Sequence, residues 1–435
     1  MSKKVYVAMS GDVIHHGQIN VIKKAASLGE VTIGLHTDAV IASYWRVPIL
    51  SYQERFEIVS NIKGVSEVIP QEELDQVPNL KKLRPDYVVH SDDWVSGPFK
   101  NLRERVVEAL KEWGGQLVEI DRTKGVSLDR LTELSDNLKV TTDVRRASLR
   151  KLLQIKGRIR VMEAHNGLTG IIVEKTKQFD EETGYYRQFD AMWLSSLCDS
   201  TTKGKPDIEV VDNTSRMNTL NEMLEVTTKP IIVDGDTGGI TEHFVYTVRS
   251  LERIGVSAII IEDKIGLKKN SLFGTEAMQQ QDEIEHFCEK IAAGKKAQVS
   301  NDFMIIARIE SLILSQGMED AVNRARHYIE AGADGIMIHS IDKTGQEIFE
   351  FAKRYQEFPN RVPLVIVPTA YDAVYETALF DAGVNVIIYA NQLLRAGYKA
   401  MQDTAMEILR CGRGYEADHN CISIKEVINL IEVEN

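Results

Sequence analysis

The sequence predicts an α/β protein with two domains, an N-terminal parallel sheet flanked by helices and a C-terminal (β/α)8 barrel. Short apolar runs alternate with amphipathic stretches from residue 5 to about residue 121, and eight further apolar runs follow beyond Gly167. Residues 122 to about 145 are polar and carry no strong apolar period. We therefore place the domain boundary near Val140, between a domain of residues 1–139 and one of residues 140–435.

The apolar runs of the N-terminal part predict parallel strands, because helical segments separate them. The runs are VYVAMSG, VTIGLHTD, DYVVHSDD and QLVEID, and the separating segments include QINVIKKAASLG and YQERFEIVSNIKG. This alternation is typical of a parallel α/β sheet.

The C-terminal part contains as many apolar runs as a (β/α)8 barrel has strands. The runs are GIIV (170–173), AMWL (191–194), IIV (231–233), AIII (258–261), FMIIA (303–307), GIMI (335–338), LVIV (364–367) and VNVII (384–388). Polar residues follow most of these runs, and in a barrel such positions meet at the mouth where catalysis takes place. They are Ser195, Ser196, Asp234, Asp236, Glu262, Asp263, Arg308, Glu310, His339, Ser340, Thr369 and Asn391.

The composition restricts the classes of partner. With 52 Lys and Arg residues against 64 Asp and Glu residues, the net charge is −12, which argues against nucleic acid and against an anionic membrane surface. The four cysteines have neither a metal-binding nor a disulfide spacing, and no stretch resembles a signal peptide or a membrane span. We expect a cytoplasmic protein that acts on small molecules.

Carboxylates stand at two successive strand ends. Asp234 and Asp236 belong to the segment DGDTG, and Glu262 ends the next predicted strand. A cluster that offers only oxygen ligands suits a hard cation, Mg²⁺ before Ca²⁺. Taken alone, DGDTG is more often a turn that caps a helix, but the neighbouring Glu262 favours a metal site.

Two further residues at strand ends are suited to an anionic group. An unpaired guanidinium after an apolar strand is costly, so Arg308 should face a carboxylate or an anionic substrate. The alternative is a structural pair with Glu310. His339 is suited to bind a phosphate oxygen or to act as an acid, although a lone histidine at a strand end is more often structural.

The segment from Glu262 to Gly274 is polar and contains glycines and lysines. These features are typical of a loop that closes over an anion and excludes water from a reactive phosphoryl group. An ordinary solvated loop is the alternative.

Together these residues resemble the phosphoenolpyruvate mutases of the isocitrate lyase superfamily, over about residues 145–410. The resemblance is carried by EAHNG at 163–167, Trp193-x-Ser195, Asp207, DGDTG at 234–238, EDKxGxKxNS at 262–271, ARxE at 307–310 and MxHS at 337–340. It implies a Mg²⁺-dependent interconversion of phosphoenolpyruvate and 3-phosphonopyruvate. It also implies a barrel that exchanges its last helix with a neighbouring subunit, in a homodimer or a homotetramer.

The resemblance implies a role for each matching residue. Asp234 would be the principal Mg²⁺ ligand, with Asp236 and Glu262 holding metal-bound waters, and Asp207 would act as the nucleophile or orient the phosphoryl group. The substrate would be held by Trp193, Ser195 and Leu197 at its carboxylate end, by Arg308 and His339 at its phosphoryl group, and by Lys268, Asn270 and Ser271 of the lid.

Two related activities have to be compared with this one. The isocitrate and methylisocitrate lyases carry a catalytic cysteine in the lid, whereas this chain has no cysteine between Cys198 and Cys288, so lyase chemistry is disfavoured. Phosphonopyruvate hydrolase has nearly the same site and remains the alternative. Asn270 and Ser271 favour the mutase.

A second motif, the segment from Met9 to Gln18, follows the first predicted strand and opens a helical stretch. Backbone N–H groups at the start of a helix, with a histidine beside them, suit a triphosphate, and the segment resembles the HxGH signature of cytidylyltransferase-like nucleotidyltransferases, which have a Rossmann-like fold. The resemblance implies that His15 stabilises the phosphate transition state and that Asp92 helps to bind nucleotide. The other candidate nucleotide-binding positions are Gly11, Asp12, Gly17, Gln18, Arg46, Arg122, Thr123 and Ser127, and the resemblance implies that the last three contact the triphosphate.

The N-terminal domain departs from that signature at three places, one of which is Val126-Ser127-Leu128-Asp129, where the family has a hydroxyl-rich phosphate loop. Gln18 replaces the second histidine, and the lysine expected before Glu54-Arg55 is missing, with Arg46 as the nearby substitute. Two alternatives therefore stay open: CMP transfer from CTP to a phosphonate, or a non-catalytic nucleotide-binding or assembly domain. The stretch ISIKEVINLIEV, residues 422–433, predicts a helix of the periphery or of an interface.

Overall fold

A computed structural model describes residues 2–44, 47–95, 99–121, 123, 140–180, 185–266, 268–271 and 279–431. Within these residues the chain forms a five-stranded parallel sheet, a closed eight-stranded parallel barrel and two short antiparallel ribbons. None of the helices in this part of the chain combines the length and the apolar character needed to cross a bilayer. The predicted class, a Rossmann-like α/β sheet followed by a (β/α)8 barrel, is confirmed.

The N-terminal sheet has the strand order β3-β2-β1-β4-β5. Its strands are β1 Lys4–Met9, β2 Glu30–His36, β3 Val65–Gln71, β4 Tyr87–Ser91 and β5 Gln116–Ile120. The helices that accompany it are α1 His16–Ala26, α2 Asp38–Tyr44, α3 Tyr52–Ser60, α4 Val77–Leu83 and α5 Lys100–Lys111. The sequence reading missed β3, because this strand lies at the sheet edge and is only partly buried.

The strand order reverses between β1 and β4, which lie side by side although two strands separate them in the chain. Apolar residues such as Val5, Val7, Ile33 and Val89 fill the layer between the sheet and its helices. Open α/β sheets bind ligands beyond the carboxyl ends of their strands at such a point of reversal.

The barrel strands follow one another around the barrel in chain order. They are β6 Ile159–Glu163, β9 Ala191–Leu194, β10 Ile231–Asp234, β11 Ala258–Glu262, β14 Met304–Ile309, β15 Gly335–Ile338, β16 Leu364–Ile366 and β17 Val386–Tyr389. The ribbons are β7 Lys177–Asp180 with β8 Tyr185–Gln188, and β12 Lys264–Ile265 with β13 Gln280–Gln281. The helices are α6 Thr142–Lys156, α7 Gly167–Lys175, α8 Ser196–Thr202, α9 Asn213–Val226, α10 Thr241–Ile254, α11 Ile284–Ala297, α12 Met318–Glu330, α13 Gln346–Tyr355, α14 Glu376–Asp381, α15 Gln392–Cys411 and α16 Ile424–Asn429.

One predicted strand is wrong. Residues 170–173 lie in α7, and the first barrel strand is β6, in which Arg160 interrupts the apolar pattern. Asn166 caps α7 by accepting a hydrogen bond from the backbone N–H of Thr169 at 2.9 Å, and a cap of this kind starts a helix despite the β-branched residues that follow. The strand count is unchanged because β6 replaces the wrong strand.

Helix α6 covers the amino-terminal end of the barrel. Leu149 and Leu152 pack against the inward-facing residues of the strands. Arg145 donates a hydrogen bond to the carbonyl of Leu224 at 2.9 Å, and Ser257 donates one back to the carbonyl of Arg145 at 2.7 Å. Helix α6 therefore closes one end of the barrel. The polar residues that follow the barrel strands lie at the opposite end.

Candidate active site at the mouth of the barrel

The turn after β10 brings two carboxylates into the barrel mouth. Position 235 accepts only glycine without rearrangement, since a Cβ there would lie 2.7 Å from the side chain of Ile259 and 2.9 Å from the carbonyl of Ile260. Asp236 adopts a left-handed backbone conformation with φ of 54°. The turn therefore holds Asp234 and Asp236 close together, and both are buried.

Two residues that the sequence reading did not assign hold these carboxylates. Ser196 donates to Asp234 Oδ2 from its backbone N at 3.2 Å and from its hydroxyl at 2.8 Å. A guanidinium nitrogen of Arg216 donates to Asp236 Oδ2 at 2.8 Å and to the carbonyl of Asp234 at 2.9 Å. Ser196 was visible only as a polar residue after β9, and nothing in the sequence distinguishes Arg216 from other charged residues of α9.

Residues 268–271 of the lid segment contact the carboxylates of the site. The ammonium group of Lys268 forms an ion pair with Asp236, and it donates to Asp207 Oδ1 at 2.9 Å and to the hydroxyl of Ser196 at 2.6 Å. Asn270 donates to the second oxygen of Asp207 at 2.9 Å. The predicted lid residues thus meet the predicted metal and phosphoryl residues in one site.

The ammonium group of Lys268 and the carboxylates around it stabilise each other in their charged forms. Burial opposes the charged form of Lys268, but the carboxylates of Asp236 and Asp234 outweigh it and hold its pKa above the usual range. Burial likewise would raise the pKa of Asp234, but Lys268 and Arg308 outweigh it and lower that pKa. Asp234 is therefore ionised at neutral pH.

Arg308 forms the pair with Glu310 and also contacts two other residues of the mouth. Its Nε lies 2.5 Å from Glu310 Oε1, which is the structural pair, while a terminal nitrogen lies 2.6 Å from the hydroxyl of Ser271 and 2.9 Å from Nδ1 of His339. Burial, assisted by Arg308, lowers the pKa of His339. The mouth therefore presents a fixed guanidinium beside a neutral imidazole.

The carboxylate oxygens of Glu262 indicate whether the site fits a divalent cation. Both of its oxygens are buried and neither accepts a hydrogen bond, although the ammonium group of Lys264 and the guanidinium of Arg308 each lie 3.2 Å away. Burial raises its pKa to about 7 against the pull of Arg308 and Lys264. Carboxylate oxygens without hydrogen bonds beside two further carboxylates fit Mg²⁺ and its retained waters.

The cavity at the barrel mouth has a volume of about 60 Å³. The predicted residues that line it are Trp193, Ser195, Leu197, Asp207, Asp234, Lys268, Asn270, Ser271, Arg308 and His339. Asp236 and Glu262 lie behind this lining, in contact with Lys268 and Arg308. A space of this size holds about two waters.

Trp193 contributes an unused donor to this cavity. Its side chain is 2% exposed, and its indole N–H is buried without a hydrogen-bond partner. A buried donor of this kind is costly unless a ligand accepts its hydrogen bond. The indole N–H of Trp193 is therefore available to a ligand that accepts a hydrogen bond.

A larger cavity, of about 500 Å³, lies at the carboxyl ends of β1 and β4 in the N-terminal domain. His15 caps α1, since its Nδ1 accepts from the N–H of Gly17 at 3.1 Å, and Gln18 closes the cap by accepting from the N–H of His15 at 3.3 Å. All three residues line the cavity, together with Thr123. Gln18 therefore has a local structural role that explains a side-chain amide at this position.

Three predicted nucleotide residues are not among those that line this cavity, and three others lie outside the described residues. Asp12 is buried and accepts from the backbone N–H groups of Ile49 and Leu50 at 3.1 and 2.9 Å, so it anchors a loop. Asp92 is exposed in the 3-10 helix Asp92–Trp94, and Gly11 packs under Leu35. Those outside the described residues are Arg46, Arg122 and Ser127.

Comparison with known proteins covers both domains. The family model described as phosphoenolpyruvate phosphomutase matches residues 149–409, and the one described as cytidylyltransferase-like matches residues 11–147. The phosphoenolpyruvate phosphomutase of Tetrahymena pyriformis is 37% identical over 291 residues, which cover 65% of this chain and 92% of that protein. The phosphonopyruvate hydrolase of Variovorax sp. (strain Pal2) is 35% identical over 285 residues, which cover 65% of this chain and 93% of that protein.

The barrel also matches solved structures. A crystal structure of phosphonopyruvate hydrolase in complex with oxalate and Mg²⁺ superposes with a TM-score of 0.57 at 34% identity, over 66% of this chain and 94% of that chain. A phosphomutase and a hydrolase are therefore similar to this barrel in sequence to nearly the same degree.

Proposed function

The chain belongs to the phosphoenolpyruvate phosphomutase family, and on that premise we propose that its barrel interconverts phosphoenolpyruvate and 3-phosphonopyruvate. The observation that carries the proposal is the position of two lid residues, Lys268 and Asn270, which bind both oxygens of Asp207. A mutase has to keep water away from the phosphoryl group, and a lid held by two donors serves that purpose.

The reaction exchanges one bond to phosphorus for another. The bond between phosphorus and the enol oxygen breaks, a bond between phosphorus and C3 of pyruvate forms, and no water is consumed. Arg308 and the neutral His339 would bind the phosphoryl oxygens, where charge is spread in the loose transition state. Ser195, the backbone at Leu197 and the indole N–H of Trp193 would hold the pyruvate carboxylate, so that C3 stays in reach.

Asp234, Asp236 and Glu262 would hold Mg²⁺. When bound, this ion supplies positive charge that stabilises the enolate and phosphoryl oxygens. The proposal is supported by the oxygen-only ligand set, by the hydrogen-bond-free oxygens of Glu262 and by the Mg²⁺ in the crystal structure of the related hydrolase. Ser196 and Arg216 would keep the first two carboxylates in position.

Replacing Asn270 by Ala tests the role of the lid. Loss of the hydrogen bond to Asp207 should loosen closure, lower phosphoenolpyruvate formation about 10²-fold and raise the share of substrate that is hydrolysed. Lactate dehydrogenase detects the pyruvate formed by hydrolysis, and addition of pyruvate kinase and ADP reveals the phosphoenolpyruvate. Lys269→Ala, in the same loop, is the control and should leave both yields unchanged. Equal product ratios in wild type and Asn270→Ala would refute the role of the lid.

We propose a second activity for the N-terminal domain, transfer of CMP from CTP to a phosphonate such as 2-aminoethylphosphonate or 2-hydroxyethylphosphonate. The cytidylyltransferase-like match and a cavity that opens at the start of α1 support it. The alternative, a nucleotide-binding or assembly domain, is favoured by Gln18, which serves the helix cap.

His15→Asn separates these alternatives, because asparagine keeps the cap of α1 but lacks the imidazole. If the domain is a transferase, pyrophosphate release from CTP in the presence of phosphonate should fall by at least about 10²-fold. CTP binding by the wild type without pyrophosphate release, for either phosphonate, would identify a binding domain instead.

We further propose that the chain forms a homodimer or a homotetramer through α15. None of the residues of this 20-residue helix is buried, and apolar side chains along it are exposed, including Tyr398, Met401, Met406 and Leu409. A long helix with an exposed apolar face requires a partner surface in solution.

A further inference from the structure

Among the described residues that line the large N-terminal cavity, Tyr186 belongs to the barrel part of the chain. Tyr186 lies on β8, in the ribbon that β7 and β8 form between α7 and the barrel strand β9. Its ring packs edge to face against Phe179 of β7, with centroids 5.1 Å apart. Strand β8 also contacts α2 of the N-terminal domain. The ribbon therefore carries an aromatic side chain from one domain to the ligand cavity of the other.

The residues that line this cavity form a polar part and a mainly apolar part. Around the start of α1 it is polar, with His15, Gln18 and Thr123, and the helix N-terminus favours phosphate there. Much of the remaining lining is apolar or aromatic; it includes Tyr44, Leu74, Trp94, Phe99 and Leu102. If phosphates bind at α1, the apolar part is left for the nucleoside.

Gln76 is one of the polar residues in this second part. It precedes α4, is 6% exposed and lines the cavity, yet its Oε1 has no hydrogen-bond partner. A buried acceptor without a partner costs folding free energy. Such an acceptor in a cavity wall points to a ligand that donates a hydrogen bond, as the amino group of a base or the hydroxyls of a ribose do.

We propose that Tyr186 and Gln76 bind the nucleoside part of CTP, so that the nucleotide site of the N-terminal domain is completed by the barrel. This inference rests on the proposed nucleotide chemistry of that domain. Tyr186 supplies an aromatic face and Gln76 a hydrogen-bond acceptor. The two parts of the chain therefore form one nucleotide site, which gives a physical reason for their fusion.

Tyr186→Ala in the full-length protein tests the contribution of the ribbon. The dissociation constant of CTP with Mg²⁺, measured by isothermal titration calorimetry, should rise about tenfold, which is typical for the loss of an aromatic contact to a nucleoside. Phosphonopyruvate turnover in the barrel should not change. Lys177→Ala, an exposed position on the partner strand of the same ribbon, should bind CTP as the wild type does.

Gln76→Leu distinguishes a ligand contact from a structural role. Because Oε1 has no partner in the fold, its replacement by an apolar group of similar size should leave Tm unchanged or raise it, while CTP affinity falls. A residue needed only for folding would lower Tm and CTP affinity together.

The outcomes separate this inference from the proposal on which it rests. Absence of CTP binding by the wild type would refute both. Normal binding by the wild type together with normal binding by Tyr186→Ala would refute the contribution of the barrel alone. Weaker binding by Tyr186→Ala and by Gln76→Leu, with Tm retained, would support the inference.

Discussion

Asp234→Asn should reduce phosphoenolpyruvate formation from phosphonopyruvate by about 10³-fold. The amide has the same shape as the carboxylate but lacks its charge, so the site loses its ionised Mg²⁺ ligand and Lys268 loses part of its counter-charge. The loss should persist at saturating substrate, because the interaction stabilises the transition state. Initial rates at several Mg²⁺ concentrations measure it.

Asp212→Asn is the matched control for this change. Asp212 caps α9 on the surface, where its carboxylate accepts from the N–H of Ser215 at 3.0 Å, and asparagine caps a helix equally well. This variant should retain wild-type turnover. If Asp234→Asn kept its activity within tenfold of the wild type, Asp234 would not be the principal metal ligand.

Arg308→Leu should abolish turnover and lower the free energy of unfolding by about 3–5 kcal/mol. The guanidinium is the ion-pair partner of Glu310 and lies 3.2 Å from Glu262, so its removal leaves buried carboxylates without a counter-charge. Urea denaturation measures the stability, and the phosphoenolpyruvate assay measures the activity. The surface change Arg249→Leu should alter stability by less than about 0.5 kcal/mol.

Arg308→Lys separates the two roles of this residue. An ammonium group restores positive charge beside the carboxylates and should recover much of the stability. It cannot reproduce the planar fork that contacts Glu310, Ser271 and His339 together, so activity should stay low. Full recovery of activity by Arg308→Lys would mean that the site requires only the charge.

The residues of the barrel mouth were predictable because the chemistry lies at strand ends. Asp234, Glu262, Arg308 and His339 each end or directly follow an apolar run, and the barrel topology brings such positions together. Arg216 was not predictable in this way, because it reaches Asp236 from a helix and no motif marks it. Long-range pairing of this kind depends on packing rather than on a local pattern.

Two predictions were wrong or incomplete because of hydrogen bonds at the start of a helix. An apolar run at residues 170–173 was read as a strand because β-branched residues favour strands, whereas the cap at Asn166 starts a helix there. The sequence shows Gln18 as a replacement for the second histidine of the signature. In the structure it accepts a hydrogen bond from the N–H of His15 and so helps to cap α1. Tyr186 was missed because only the fold brings its strand to the other domain.

The central claim is that the barrel moves a phosphoryl group between oxygen and carbon of the same substrate. ³¹P NMR of phosphonopyruvate incubated with the full-length protein and Mg²⁺ tests it most directly. We predict that the phosphonate signal is replaced by that of phosphoenolpyruvate, and that Asp234→Asn prevents the change. Replacement by the signal of inorganic phosphate, without phosphoenolpyruvate at any time, would show a hydrolase and contradict the account.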